Sequence, residues 1–129
     1  MHQRILVSLA LALGLCCSMA CAQYANIEGK FRSPSTTLDI IALDTEKGVI
    51  AASTTVVQGA CSGSIAGVGK VSGNGLRFSP YVREDKNDKC EVVVVFDKKR
   101  NSAKVTAESC MAYHGAACGW EGNTLKRAK

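Results

Sequence analysis

The sequence predicts an all-β fold, a small antiparallel β-barrel or sandwich of about seven or eight short strands, stapled by disulfides. Three observations predict it. Runs rich in Val, Ile and Thr recur along the chain, each bounded by Gly, Pro, Asn or Asp. No stretch after residue 22 carries the sustained 3.6-residue apolar period of a long helix. Four cysteines remain once an export leader is set aside. That even number, in a chain of about a hundred residues, marks a domain that needs covalent support.

The leader comes first. Met1-His2-Gln3-Arg4 is a short basic start, Ile5 to Cys17 is an apolar run, and Ala20-Cys21-Ala22 is a small-x-small cleavage pattern. Residues 1–22 read as a signal peptide and 23–129 as a single β domain that begins at Gln23. The apolar run is short for a bilayer span and no second one follows, so no integral membrane segment is expected after cleavage. Lipidation of Cys21 would ask for an aliphatic residue three positions earlier, where Ser18 stands.

Strands are then expected in order. Tyr24 to Arg32 alternates Ala25, Ile27, Gly29 and Phe31 with polar neighbours, the pattern of a half-buried strand ended by Pro34. Thr37 to Leu43 fits a strand or a helical turn, because Leu38, Ile40, Ile41 and Leu43 suit both periods. Asp44 to Gly48 is a turn, and Val49 to Val57 is β-branched throughout much of its length. Ser62 to Val71 is rich in glycine, Asn74-Gly75 signals a hairpin, and Leu76 to Val82 leads away from it. Arg83 to Lys89 is a charged loop.

The strongest hairpin lies between Cys90 and Cys110. Val92 to Phe96 runs into the polar turn Asp97-Lys98-Lys99-Arg100-Asn101, and Ala103 to Ala107 returns. Val92, Val94 and Phe96 share one face, and Val105 and Ala107 are their apolar partners on the return strand. The four cysteines Cys61, Cys90, Cys110 and Cys118 allow three connectivities. That register puts Cys110 on the side of Lys104, Thr106 and Glu108, away from Cys90. The expected pairs are therefore Cys61–Cys90 and Cys110–Cys118, and a single β-bulge would reverse the argument.

Charge narrows the partners. The whole chain carries +5, and removal of Arg4, the one charged residue of 1–22, leaves +4 on the mature domain. Lys98, Lys99 and Arg100 on the hairpin tip form the clearest basic spot. A solvated turn that guards a β edge explains it, as does attraction to an anionic glycan, a lipid or an acidic protein. Nucleic acid is not an expected partner, since the chain has one Trp and no basic face interleaved with aromatics.

Signals for chemistry are sparse. After the leader one histidine remains, His114, and no Gly-x-Ser-x-Gly elbow occurs. Gly67-Val68-Gly69-Lys70 has the look of a phosphate loop but lacks its leading glycine, and Val71 stands where Ser or Thr is needed. Its glycines suit strand curvature instead. Cys110, His114 and Cys118 have zinc-ligand types at Cys-x3-His-x3-Cys spacing, with Glu108 or Glu121 as a fourth donor. Gly115 and Gly119 oppose a helical ligand face, and an oxidising compartment would make the cysteines disulfides. No enzyme, cofactor or metal is expected. Tyr113, His114 and Trp120 join Lys98, Lys99 and Arg100 as a candidate binding surface, with Trp120 also suited to plug the core.

The tail from Cys110 to Gly122, CMAYHGAACGWEG, resembles the ending of small exported proteins of Gram-negative bacteria, a mostly uncharacterised group. These share a Cys, a Tyr-His-Gly, a second Cys, an aromatic-x-Gly and a basic finish, here Lys126-Arg127. The resemblance takes in Cys61 to Gly67 and the Cys90 strand, and it implies a periplasmic or secreted protein. By analogy with periplasmic lysozyme inhibitors and effector-immunity proteins, the expected function is binding or inhibition of an envelope or foreign protein. Animal lysozymes are a poor match, because both proteins would be basic. The alternative is an envelope structural or ligand-binding protein whose basic tip meets anionic glycan or lipid. The sequence does not set the oligomeric state.

Overall fold

A computed structural model describes residues 26–129, so the leader, its cleavage site and Cys21 lie outside the described residues. Eight strands form one closed barrel in which each pairs antiparallel with its sequence neighbour: β1 (Gly29–Arg32), β2 (Thr36–Asp44), β3 (Val49–Gln58), β4 (Cys61–Ser72), β5 (Gly75–Pro80), β6 (Glu91–Phe96), β7 (Ser102–Glu108) and β8 (Thr124–Arg127). β8 closes the ring by pairing with both β7 and β1. A 3-10 turn, Met111–Tyr113, interrupts the connection from β7 to β8.

The strand between residues 37 and 43 resolves the ambiguity of its period. Residues 37–40 are paired on both sides, to β1 and to β3, and Ile41 and Ala42 to β3, which a helical turn cannot offer. Of the expected first strand, Tyr24 and Ala25 lie outside the described residues, and within the described ones pairing begins late. The carbonyls of Asn26 and Glu28 are taken by the Arg127 guanidinium, so pairing starts at Gly29. β8 carries only the alternation Leu125 in, Lys126 out, too short a pattern to stand out in the sequence.

Alternation sends Leu38, Ile40, Ile50, Val56, Ile65, Leu76, Phe78, Val92, Val94, Phe96, Val105 and Leu125 inward, where they pack with Phe31 and Trp120. An eight-stranded barrel is just wide enough for such side chains to fill it. Two buried hydroxyls are satisfied: Thr54 Oγ1 donates to the Thr37 carbonyl at 2.7 Å, and Thr36 Oγ1 accepts from Asn123 Nδ2 at 3.1 Å. Gly67 and Gly69 occupy inward positions of β4. A Cβ at either would run into the β5 carbonyls of Ser79 and Arg77. They let two strands approach closely and lie mid-strand, so no phosphate loop forms there.

The hairpin register is the expected one, Val92 opposite Ala107 and Val94 opposite Val105. The expected cysteine pairing is not. The disulfides are Cys61–Cys118 and Cys90–Cys110, spanning 57 and 20 residues. The reason lies at Ser109, whose φ of 58° ends β7 in a left-handed residue. That single kink turns Cys110 from the outer side of the strand to the interior, where it is buried with its Cα 4.5 Å from that of Cys90. It acts as the bulge that the register argument left open. Disulfides of this kind belong to an oxidising, non-cytoplasmic compartment. Among the described residues no helix is long and apolar enough to cross a membrane.

Candidate functional site

Antiparallel neighbours place alternate connections at opposite ends of the barrel. One end holds the short turns 45–48, 73–74 and 97–101, together with the entry to β1 and the exit from β8. The other holds 33–35, 59–60 and the long loops 81–90 and 109–123. The candidate binding residues divide accordingly. Lys98, Lys99 and Arg100 lie at the hairpin end, and Tyr113, His114 and Trp120 at the looped end, so they form no common surface.

At the looped end the side chains hold one another. Cys118 ties the β7–β8 connection to the start of β4, and Cys110 ties it to Cys90. The connection also adds a one-residue bridge, His114 opposite Gly63, and Gly115 N–H donates to the Ser62 carbonyl at 3.2 Å. The Gln58 amide spans from Gly119 N–H to Gly119 C=O. His114 is half-buried, with Nδ1–H donating to the Gly115 carbonyl at 2.6 Å and its ring edge-on to Trp120 at 5.4 Å. Trp120 itself is 0 % exposed and belongs to the core, so it presents nothing to a partner. Its Nε1–H is buried without a hydrogen-bond partner among the described residues.

Tyr113 is the clasp between the two long loops. Its hydroxyl donates to the Asp88 carboxylate and accepts the Glu84 N–H at 3.1 Å. Asp88 also accepts the Cys90 N–H at 2.8 Å. The Tyr113 hydroxyl and then the Cys90 N–H hold the Asp88 carboxyl below its usual range, and the Asp88 carboxylate in turn pushes the Tyr113 hydroxyl up. The zinc spacing dissolves here, because Cys110 and Cys118 belong to different disulfides, and among the described residues no group of three potential ligands gathers.

Two further surface features lie outside the looped tail. The first is the outer face of β2, β3 and β4. Pairing sets Ile41, Ala51 and Val68 in one row across the three strands, with Asp39, Ser53 and Ala66 in the next. Tyr81 N–H donates to the Ala66 carbonyl, which seats Tyr81 at the end of that second row. Small residues make the centre of the strip, and Ile41, Val68 and Tyr81 rise around an apolar groove of about 330 Å³. Ile41 is 60 % exposed, Val68 46 %, Tyr81 83 % and Val82 76 %. A signal existed in the sequence: Ile41 is the second of two adjacent isoleucines in an alternating strand, so one of the pair has to face out.

The second feature is a cleft of about 660 Å³ at the hairpin end, lined by Asn26, Glu28, Lys98, Lys99, Arg100, Asn101 and Arg127. Arg127 is its structural member. Its Nε donates to the Arg100 carbonyl at 2.8 Å, while Nη1 and Nη2 donate to the carbonyls of Glu28 and Asn26. The same guanidinium lies 4.6 Å above the Phe31 ring. The chain matches no protein-family model, no curated protein and no solved structure.

Proposed function

We propose that this is a small exported binding protein, periplasmic or secreted, that docks an envelope or foreign protein on the outer face of β2–β4 and inhibits or shields it without carrying out chemistry. One observation carries the reading: an apolar strip from Ile41 through Val68 to Tyr81 stands in water on a barrel wall that alternation should make polar. The interior is filled by side chains, so recognition falls to the outside. Ile41, Ala51 and Val68 sit on the longest strands of the barrel, a rigid platform whose ordering cost on binding is small. An aromatic and branched aliphatics around a floor of Ala and Ser suit an apolar knob of a partner.

The test places a photo-crosslinking side chain at position 68, and for comparison at position 99, in the exported protein. A protein captured from position 68 is then purified and its affinity measured directly. Val68→Glu should weaken that purified complex by about a hundredfold, the scale of a lost interface anchor. An affinity unchanged by Val68→Glu, or capture from position 99 alone, sinks the reading.

A further inference from the structure

We propose that the cleft at the hairpin end is a separate binding site for a phosphate-bearing ligand. It lies off the β2–β4 face and stands or falls independently of the docking reading. Lys98, Lys99, Arg100 and Arg127 line it, against Glu28 as the one acid of the lining. Both nearby carboxylates are turned to other work. Glu28 Oε1 accepts the Ala42 N–H at 2.7 Å, and Asp97 Oδ1 accepts the Ser102 N–H at 2.8 Å inside its own turn. Among the described residues no carboxylate forms an ion pair with Lys98 or Lys99. Arg127 has spent three donors on neutral carbonyls, which leave its charge unneutralised.

These cations converge from elements far apart in sequence, the β6–β7 turn and β8, onto one concavity. A concave basic surface adds its fields where a flat one disperses them into solvent. The frame is also fixed before any ligand arrives. Arg100 stands at φ 57°, Arg100 N–H donates to the Asp97 carbonyl, and Arg127 N–H donates to the Asn101 carbonyl. Phosphate suits such a set better than a carboxylate does. It carries up to two charges and presents several oxygens in different directions to separate ammonium and guanidinium donors. The cleft is open enough for the group to be carried on a sugar or a glycerol. A soluble phosphate ester and a phospholipid headgroup share that chemistry.

The experiment uses the exported, disulfide-bonded protein labelled with nitrogen-15. Inorganic pyrophosphate is titrated in one arm. In the other, the protein is sedimented with phosphatidylglycerol vesicles and with phosphatidylcholine vesicles. Saturable shifts of the amides of Lys98, Lys99, Asn101 and Arg127 are expected, with an apparent affinity that falls at least about tenfold from about 30 to about 300 mM salt. Lys98→Gln with Lys99→Gln should weaken binding at least about fivefold, the effect of two exposed charge contacts. Lys47→Gln, on the 45–48 turn at the same end of the barrel, should change nothing. Pyrophosphate binding without vesicle binding assigns a soluble ester, and phosphatidylglycerol binding lost in the double variant assigns a headgroup. Shifts spread evenly over Lys47, Lys70 and Lys104, or binding of both probes indifferent to the double variant, overturn the site.

Discussion

At the hairpin end of the barrel the connections are two to five residues long, and local turn chemistry with one arginine holds them. At the looped end, connections of ten and fifteen residues are held by two disulfides, a tyrosine clasp and a buried tryptophan. The difference follows from what a loop of each length can satisfy by itself. In the 73–74 turn, Gly73 supplies the positive φ and Ser72 faces Gly75 directly, so nothing beyond the two strands is needed. A fifteen-residue crossing has to find distant partners for its backbone and pays more chain entropy, which cross-links offset by constraining the unfolded state. The looped end is thus built for rigidity, and the cleft lined by Lys98, Lys99, Arg100 and Arg127 lies at the other end.

The largest break in this comparison comes from the cysteines. On the chain-entropy model the 57-residue link of Cys61–Cys118 contributes about 4 kcal/mol and the 20-residue link of Cys90–Cys110 about 3 kcal/mol. Replacing Cys61 and Cys118 by Ala should therefore lower the denaturant midpoint more than replacing Cys90 and Cys110. The opposite order would mean that the loops, and not the cross-links, organise that end.

Arg127→Met comes next. It keeps the apolar stem and deletes three donors and the contact with Phe31, so about 2–3 kcal/mol should be lost. Amide hydrogen exchange should accelerate along β1 and β8 and stay unchanged in the 109–123 loop. Faster exchange at both ends would show that they are not independent.

Much of this architecture was legible. Val92, Val94 and Phe96 against Val105 and Ala107 fixed the central register because a period of two leaves only one apolar face. The disulfides were misassigned from that same correct register, since one left-handed residue, Ser109, carries no signal that distinguishes it from an ordinary strand end. Lys98, Lys99 and Arg100 were visible as a basic tip. Their cleft was not, because Arg127 and the Asn26–Glu28 segment reach it only through closure of the ring.

A smaller effect is expected at the tyrosine clasp. Asp88 titrates below its usual value, so its contribution is present above about pH 4 and is lost as pH falls through the lowered value. Tyr113 titrates above its usual value, so its contribution is full below about pH 10 and is lost as pH rises through the raised value. The stability difference between the native protein and Tyr113→Phe should accordingly be flat from about pH 5 to about pH 9 and shrink on both sides. A difference that shrinks on neither side would place the clasp somewhere other than the hydroxyl–carboxylate contact.

The smallest change in stability belongs to Lys98→Ala combined with Lys99→Ala. Both side chains are exposed on a turn, and substitutions there seldom move stability by more than about 0.5 kcal/mol. The turn itself is fixed by other groups: Asp97 accepts the Ser102 N–H, and Arg100 N–H donates to the Asp97 carbonyl. Removing two like charges from one tip also relieves their mutual repulsion, which works against any lost solvation. Thermal unfolding at low and high salt measures both terms. Near-identical midpoints at high salt, with the variant equal or slightly higher at low salt, are the expected result. A clear loss at low salt would mean that Lys98 or Lys99 closes the hairpin end, and the cleft would then be part of the fold's own support and not a surface left open for a ligand.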